Sequence, residues 1–207
     1  MPRKIDLTTW PRREIFEHFS SHSDPFYCVA FKADVTNLYR YAKENGLSFY
    51  YALVYLSTKA VNSVENFRYA IDGGDVILLE ERKPSFTDMN PGSELFHIVT
   101  MPCGDSLPGF CREARARSRA QSFLLDPSQE AKDLIYFSCL PWIEMTANVY
   151  ENITDKDEAI PRISWGRYAE AHGRKTLHMS MELNHRFIDG LHIGRFYEAL
   201  TALIEGL

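Results

Sequence analysis

Between Lys175 and His185 the chain alternates, with Leu177, Met179, Met181 and Leu183 set against His178, Ser180, Glu182 and Asn184. Successive side chains of a strand point to opposite faces, so this stretch reads as a strand with one apolar face, and His185 continues that face at its end. After a short turn, Ile193, Phe196, Tyr197, Leu200, Leu203 and Ile204 recur at helical spacing. A tight turn from strand into helix can hold a reactive side chain rigidly, and Asn184-His185-Arg186-Phe187-Ile188-Asp189-Gly190 occupies that turn.

The rest of the chain alternates helices and strands in an irregular α+β order. Thr8 or Thr9 is expected to cap a short helix with Pro11 in its first turn and Ile15, Phe16 and Phe19 on one face. A strand is predicted from about Phe26 to Ala33. A helix started by Asp34 and Thr36 and stopped by Gly46 follows, then one capped by Ser48 that contains Phe49, Ala52, Leu53, Leu56 and Ala60. Asp72-Gly73-Gly74 suits the positive φ angles of a hairpin between Arg68 to Ile71 and Val76 to Glu80. Strands near Ser85 to Met89 and Leu95 to Met101 precede a helical stretch, Leu107 to Phe123, whose Arg112, Arg115, Arg117 and Arg119 read as a solvated face. Strand-like runs cover Leu134 to Asn148, broken at Pro141, and Arg162 to Ala171. Trp142, Phe49, Tyr50, Tyr51 and Tyr55 are expected to pack in the core or an interface.

No repeat, low-complexity tract or linker divides the 207 residues, and the 45% hydrophobic content can fill one core, so a single domain over 1–207 is expected. With 23 basic and 28 acidic residues there is no basic excess to attract nucleic acid. The first ten residues carry no signal-like apolar run and the longest aliphatic run, Val76 to Leu79, cannot span a bilayer, so a cytoplasmic, membrane-free protein is expected. Cys28, Cys103, Cys111 and Cys139 form no C-x-x-C pair, which argues against a metal site or a disulfide scaffold.

At the end of its strand, His185 has two readings: a general base, since an imidazole titrates near neutrality, or a buried histidine satisfied by backbone with Asp189 as a helix N-cap. The sequence resembles the trimeric, CoA-dependent chloramphenicol acetyltransferases nearly end to end. "WPRREIFEHF" is similar to that family's amino-terminal helix, "NFRYAIDGGDVILLEERKPSFT" to its central hairpin, "FSCLPWIEMT" to its serine-bearing strand and "NHRFIDGLHIGRF" to its H-H-x-x-x-D-G-x-H signature. The acyltransferase subunits of 2-oxoacid dehydrogenase complexes share that signature but lack the Trp-x-Arg helix and carry lipoyl domains.

The resemblance implies a two-layer α+β fold, a mixed β-sheet with helices on one face, of the CoA-dependent acyltransferase type, assembled as a homotrimer with sites at subunit boundaries. It implies O-acetyl transfer from acetyl-CoA, with no metal, to a small hydroxyl acceptor. His185 is then the base and Ser138 the donor to the oxyanion. Asp189 and Arg12 form a supporting pair, and Ser164, Arg167 and Tyr168 lie on the CoA side. Phe26, Tyr27 and Phe96 give the acceptor pocket an aromatic contribution. Asn148, Tyr150 and Asn152 stand where the family has large apolar residues, so the wall is polar and chloramphenicol is expected to be a poor or secondary substrate. The same wall leads to the expectation that Phe and Val in place of the two asparagines would improve its turnover. Two other readings stay open: a same-fold acyltransferase with another acceptor, and a non-catalytic trimeric binding protein.

Overall fold

A computed structural model of the chain describes residues 2–151 and 155–207; Asn152 lies outside them. Among the described residues the strands are β1 (Arg3–Lys4), β2 (Phe26–Asp34), β3 (Tyr69–Asp72), β4 (Asp75–Leu78), β5 (Lys83–Met89), β6 (Phe96–Thr100), β7 (Leu134–Leu140), β8 (Arg162–Gly166), β9 (Ala169–Ala171) and β10 (Arg174–Asn184). The helices are α1 (Arg13–Ser20), α2 (Thr36–Glu44), α3 (Phe49–Ser63), α4 (Leu107–Ala120) and α5 (Gly190–Glu205).

The main sheet runs β2-β10-β8-β7-β5-β6, with β9 on the end of β10. It is mixed: β5, β7 and β8 are parallel and the remaining pairs antiparallel. Residues in register share a face, so Phe86, Phe137, Ile163, Met181 and Val29 form one cross-strand row. The helices cover that face, with Phe86 packed on Tyr50 and Tyr51 of α3 and on Phe110 of α4. Among the described residues the opposite face is free of helices and carries Ser138, Ser164 and Ser180 in one row and Tyr136, Arg162 and Glu182 in the next. A second, small sheet, β1-β4-β3, was not foreseen; its hairpin turns on Gly73 and Gly74, at φ 57° and 86°. Both central positions of a type I′ hairpin turn need positive φ, which glycine adopts without strain.

Ser48 caps α3 as expected, its Oγ accepting from Tyr51 N. At α1 the expectation fails. Asp6 draws Thr8 N and Oγ1 onto its own carboxylate, at 2.9 and 2.7 Å, and Thr9 Oγ1 donates to Asp6 O, so neither threonine is free to cap and the helix begins at Arg13. The run from Leu134 is strand only to Leu140, and Arg162 to Ala171 is two strands. Beyond Leu140 the chain leaves the sheet and crosses its helix-free face, which Gly166 permits: a Cβ there would stand 2.7 Å from Ile143 O. Arg167 N donates to that same carbonyl at 2.7 Å.

Arg82 ties the two sheets together. Fully buried, its guanidinium donates to the carbonyls of Phe67, Tyr69, Lys132, Leu134 and Ala159. Burial pushes its pKa down, to about 9, while Asp133 and Glu158 oppose the shift.

Candidate active site

His185 follows the last residue of β10, and its placement is fixed from several directions. Its N–H donates to Pro25 O at 2.8 Å and its carbonyl accepts from Arg12 Nη2 at 3.2 Å. The imidazole is stacked between Phe19 of α1 and Tyr27 of β2, with ring centroids at 4.0 and 4.3 Å. Nδ1 is buried with no hydrogen-bond partner among the described residues. The apolar alternation of β10 thus delivers the ring into an aromatic slot. Phe19, half of that slot, was legible in the sequence only as part of an apolar helix face.

The turn after His185 is built on charge. Arg12 Nη1 donates to Asp189 Oδ2 at 2.7 Å and its Nε to Arg186 O at 2.8 Å. Asp189 also caps α5: Oδ1 accepts from Leu191 N, while Asp189 N donates to His192 Nδ1 at 3.1 Å. An accepting Nδ1 is unprotonated, and burial lowers the His192 pKa in the same sense. Burial alone would raise the Asp189 pKa, but the Arg12 hydrogen bond and the Arg12 charge hold it below the ordinary value. The two readings of Asp189, helix cap and partner of Arg12, therefore coexist. A depressed carboxyl pKa contributes stability above the unfolded-state value of about 3.9, and that contribution is lost as pH falls through the lower folded value. Arg12→Ala and Asp189→Ala are each expected to lower stability and activity together. The double variant should fall short of the summed effects by about 1 to 3 kcal/mol in urea denaturation; simple additivity would show that the pair is not a unit.

Asn184 and Arg186, missed as structural residues, anchor the turn to the segment before β8. Asn184 Nδ2 donates to Glu158 O at 2.9 Å, and Arg186 Nη1 to Asp157 Oδ1 at 2.8 Å.

Ser138 of β7 faces two cavities. One, of about 590 Å³, also contains Tyr50, Tyr51, Asp88, Phe96 and Trp142. The other, of about 500 Å³, also contains Phe96, Tyr136, Asn148, Tyr150 and Arg162. Tyr51 donates to Asp88 and Tyr50 to Thr87 O at 2.6 Å, so these tyrosines wall a cavity as well as packing α3. Trp142, expected to pack in the core or an interface, is 67% exposed in the single chain and so is not part of the core, because the chain turns outward after Leu140. Phe96 is 53% exposed in the same region.

Ser164 is fully buried in the central strand, and its Oγ accepts from Asn148 Nδ2 at 3.2 Å. Asn148 N donates to Ser180 Oγ, whose hydroxyl donates back to Asn148 O at 2.8 Å. The Asn148 amide is therefore not an unpaired group on a wall, and a Phe at this position would orphan the Ser164 hydroxyl instead of simply enlarging an apolar surface. Tyr150 adjoins it with a buried hydroxyl near that of Ser164; burial pushes its pKa up to about 12, and Ser164 opposes the shift. Phe26 and Tyr27 line a separate cavity of about 240 Å³ that Tyr150 shares. Arg167 is exposed, and Tyr168 packs against Tyr39 and Phe49 with Lys175 Nζ 5.1 Å from its ring centroid.

The mixed sheet, the strand-end histidine and the opposed serine strand define the class: the fold of CoA-dependent acyltransferases. A solved chloramphenicol acetyltransferase superposes with a TM-score of 0.90 at 24% identity, covering 99% of this chain and all of that one. The dihydrolipoamide acetyltransferase of Azotobacter vinelandii does so with 0.67 at 19% identity, covering 92% and 85%. Residues 2–201 match the chloramphenicol acetyltransferase family, and the chain belongs to it. Chloramphenicol acetyltransferase 3 of Escherichia coli is 25% identical over 203 residues, covering 97% of this chain and 95% of that one. The chloramphenicol acetyltransferase of Streptomyces acrimycini is 30% identical over 210 residues, covering 98% and 94%.

Proposed function

We propose that the protein transfers an acetyl group from acetyl-CoA to a hydroxyl of chloramphenicol or a related small acceptor, by direct attack with His185 as general base. The observation that carries this reading is the setting of His185. A ring stacked on both faces, with one nitrogen buried and its main chain bonded on both sides, is held in a single orientation, and Nε2 is left for proton exchange. The hydroxyl proton passes to His185 as the oxygen attacks the thioester carbonyl; the C–O bond forms, the C–S bond breaks and the departing thiolate takes the proton. Ser138 Oγ donates to the charge that develops on the carbonyl oxygen. Arg167 offers a cation, and Tyr168 with Lys175 a charged aromatic platform, on the side that would receive a phosphorylated nucleotide.

Within one chain, His185 and Ser138 cannot serve the same thioester. Ser138 is in register with Ser164 and that with Ser180, so His185 stands two strands away and five residues further along, roughly 20 Å by strand geometry. This separation supports a homotrimer in which the His185 edge of one subunit meets the Ser138 cavities of the next. Exposed Trp142, Phe96 and Val149 around those cavities support the same assembly. A cytoplasmic location suits a reaction fed by acetyl-CoA, and acetylation of chloramphenicol would make the protein a resistance determinant.

The test is thiol release from acetyl-CoA by the purified protein, with chloramphenicol and a panel of hydroxylated acceptors, alongside its mass in solution. Ser138→Ala is expected to lower kcat about a hundredfold with KM little changed, since an oxyanion donor acts in the transition state. A change confined to KM would assign Ser138 to ground-state binding.

A further inference from the structure

The turn that carries His185 is closed by a second histidine. His192 stands at the third position of α5, and its Nδ1 accepts from Asp189 N at 3.1 Å. Glutamate or glutamine ordinarily fills this place, because a fixed acceptor is all it requires. An imidazole fills it only while Nδ1 carries no proton, so the closure depends on the charge of the ring.

The closure bears on the base through two hydrogen-bonded steps. Asp189 Oδ2 accepts from Arg12 Nη1 at 2.7 Å, and the same guanidinium donates to the carbonyls of His185 and Arg186. A proton on Nδ1 would end acceptance from Asp189 N and make the ring a donor to Asp189 Oδ1, 3.0 Å away. His192 would then be a cation competing with Arg12 for one carboxylate, and a carboxylate drawn to the ring is drawn from the guanidinium that holds the His185 carbonyl.

The surroundings of the ring oppose that proton. His192 is 6% exposed. Burial foremost lowers its pKa and the Arg12 and Arg195 charges add to the shift, while Asp189 opposes it. The cavity of about 640 Å³ that His192 lines with Arg12 also carries Arg3, Lys4, Asp6, Glu65 and Tyr69, and it gives protons a route to the ring. With the folded value below the unfolded one of about 6.5, the closure contributes stability at higher pH that is lost as pH falls through the unfolded value towards the folded one.

We infer that His192 is a positioning residue for the transfer: as a neutral imidazole it closes the turn that orients His185, and its protonation loosens that turn. The inference rests on the acetyl-transfer reading and adds to it a residue that acts through Asp189 and Arg12.

The test compares His192→Gln and His192→Ala with the unaltered protein between about pH 5 and 8, by thiol release from acetyl-CoA with chloramphenicol as acceptor and by thermal melting. Protonation of His185 slows all three proteins alike, so it cancels from the ratio of variant to unaltered kcat. Gln supplies the ordinary acceptor and does not titrate. Its kcat at about pH 8 is expected within about threefold of the unaltered protein, and its ratio to rise about threefold or more by about pH 5. Ala has no acceptor, and at about pH 8 its kcat should fall about tenfold with KM for acetyl-CoA little changed. Over the same range the melting temperature of the unaltered protein should fall further than that of the Gln variant. A Gln ratio that stays flat with pH, a Gln variant as impaired as Ala, or an Ala variant with unaltered kcat overturns the inference. Absence of thiol release from the unaltered protein would overturn the transfer reading, and the melts then decide the closure: equal falls in the unaltered and Gln proteins overturn it as well.

Discussion

His185→Ala is expected to lower acetyl transfer by about a thousandfold or more while the protein still folds and assembles. Positioned general bases contribute about a hundred- to ten-thousandfold, and His185 is the imidazole that Phe19 and Tyr27 hold in place. The fold should survive because the turn is held by main-chain bonds that the substitution keeps: the His185 N–H to Pro25 and the His185 carbonyl to Arg12. Losing the ring between Phe19 and Tyr27 is expected to cost about 1 to 3 kcal/mol, visible as a shifted melt with unchanged cooperativity. Thiol-release kinetics on the variant, with its mass checked by light scattering, decide the matter. Activity near that of the unaltered protein would sink the mechanism.

The largest effect on stability is expected at Arg82. Its guanidinium satisfies five carbonyls drawn from the 3-10 turn after α3, from β3, from the chain leading into β7, from β7 itself and from the segment before β8. Arg82→Leu leaves them facing an apolar side chain. Each buried acceptor left unpaired costs about 1 to 3 kcal/mol, so a loss of at least 4 kcal/mol is expected, a large part of the stability of most domains. Arg82→Lys keeps a charge but has one nitrogen in place of a planar fork, and should fall between the two. Urea denaturation, or soluble yield if the variant cannot be isolated, provides the measurement. A Leu variant within about 1 kcal/mol of the unaltered protein would mean that the two sheets are joined by packing alone.

Both residues show where local pattern stops being informative. The β10 alternation and the α5 stripe are local periodicities, and the faces they assign are those found, with Met179 and Met181 fully buried under the helices, except that Tyr197 of the α5 stripe is exposed. Ser48 as a cap and Gly73-Gly74 as a turn are equally local, because backbone geometry acts over a few residues. Thr8 and Thr9 misled because Asp6, two and three residues earlier, competes for the same hydrogen bonds. Sequence could not divide Trp142 between core and interface, because burial depends on where the chain goes after Leu140, and no periodicity records that. The signal for Arg82 was absent altogether, since its five acceptors come from segments as much as 77 residues away.

The sequence by itself determined the order and faces of the main elements, the strand that ends at His185 and the motif by which the family is recognised, since each depends on spacing within a few residues. Only the tertiary structure decided which groups meet. It set Phe19 and Tyr27 on either side of His185, tied up Asn148 with Ser164, and left Glu182 sharing a guanidinium with Glu158. The physical reason is that charge pairing, desolvation and ring stacking act through space over a few ångströms, while the sequence orders residues only along the chain.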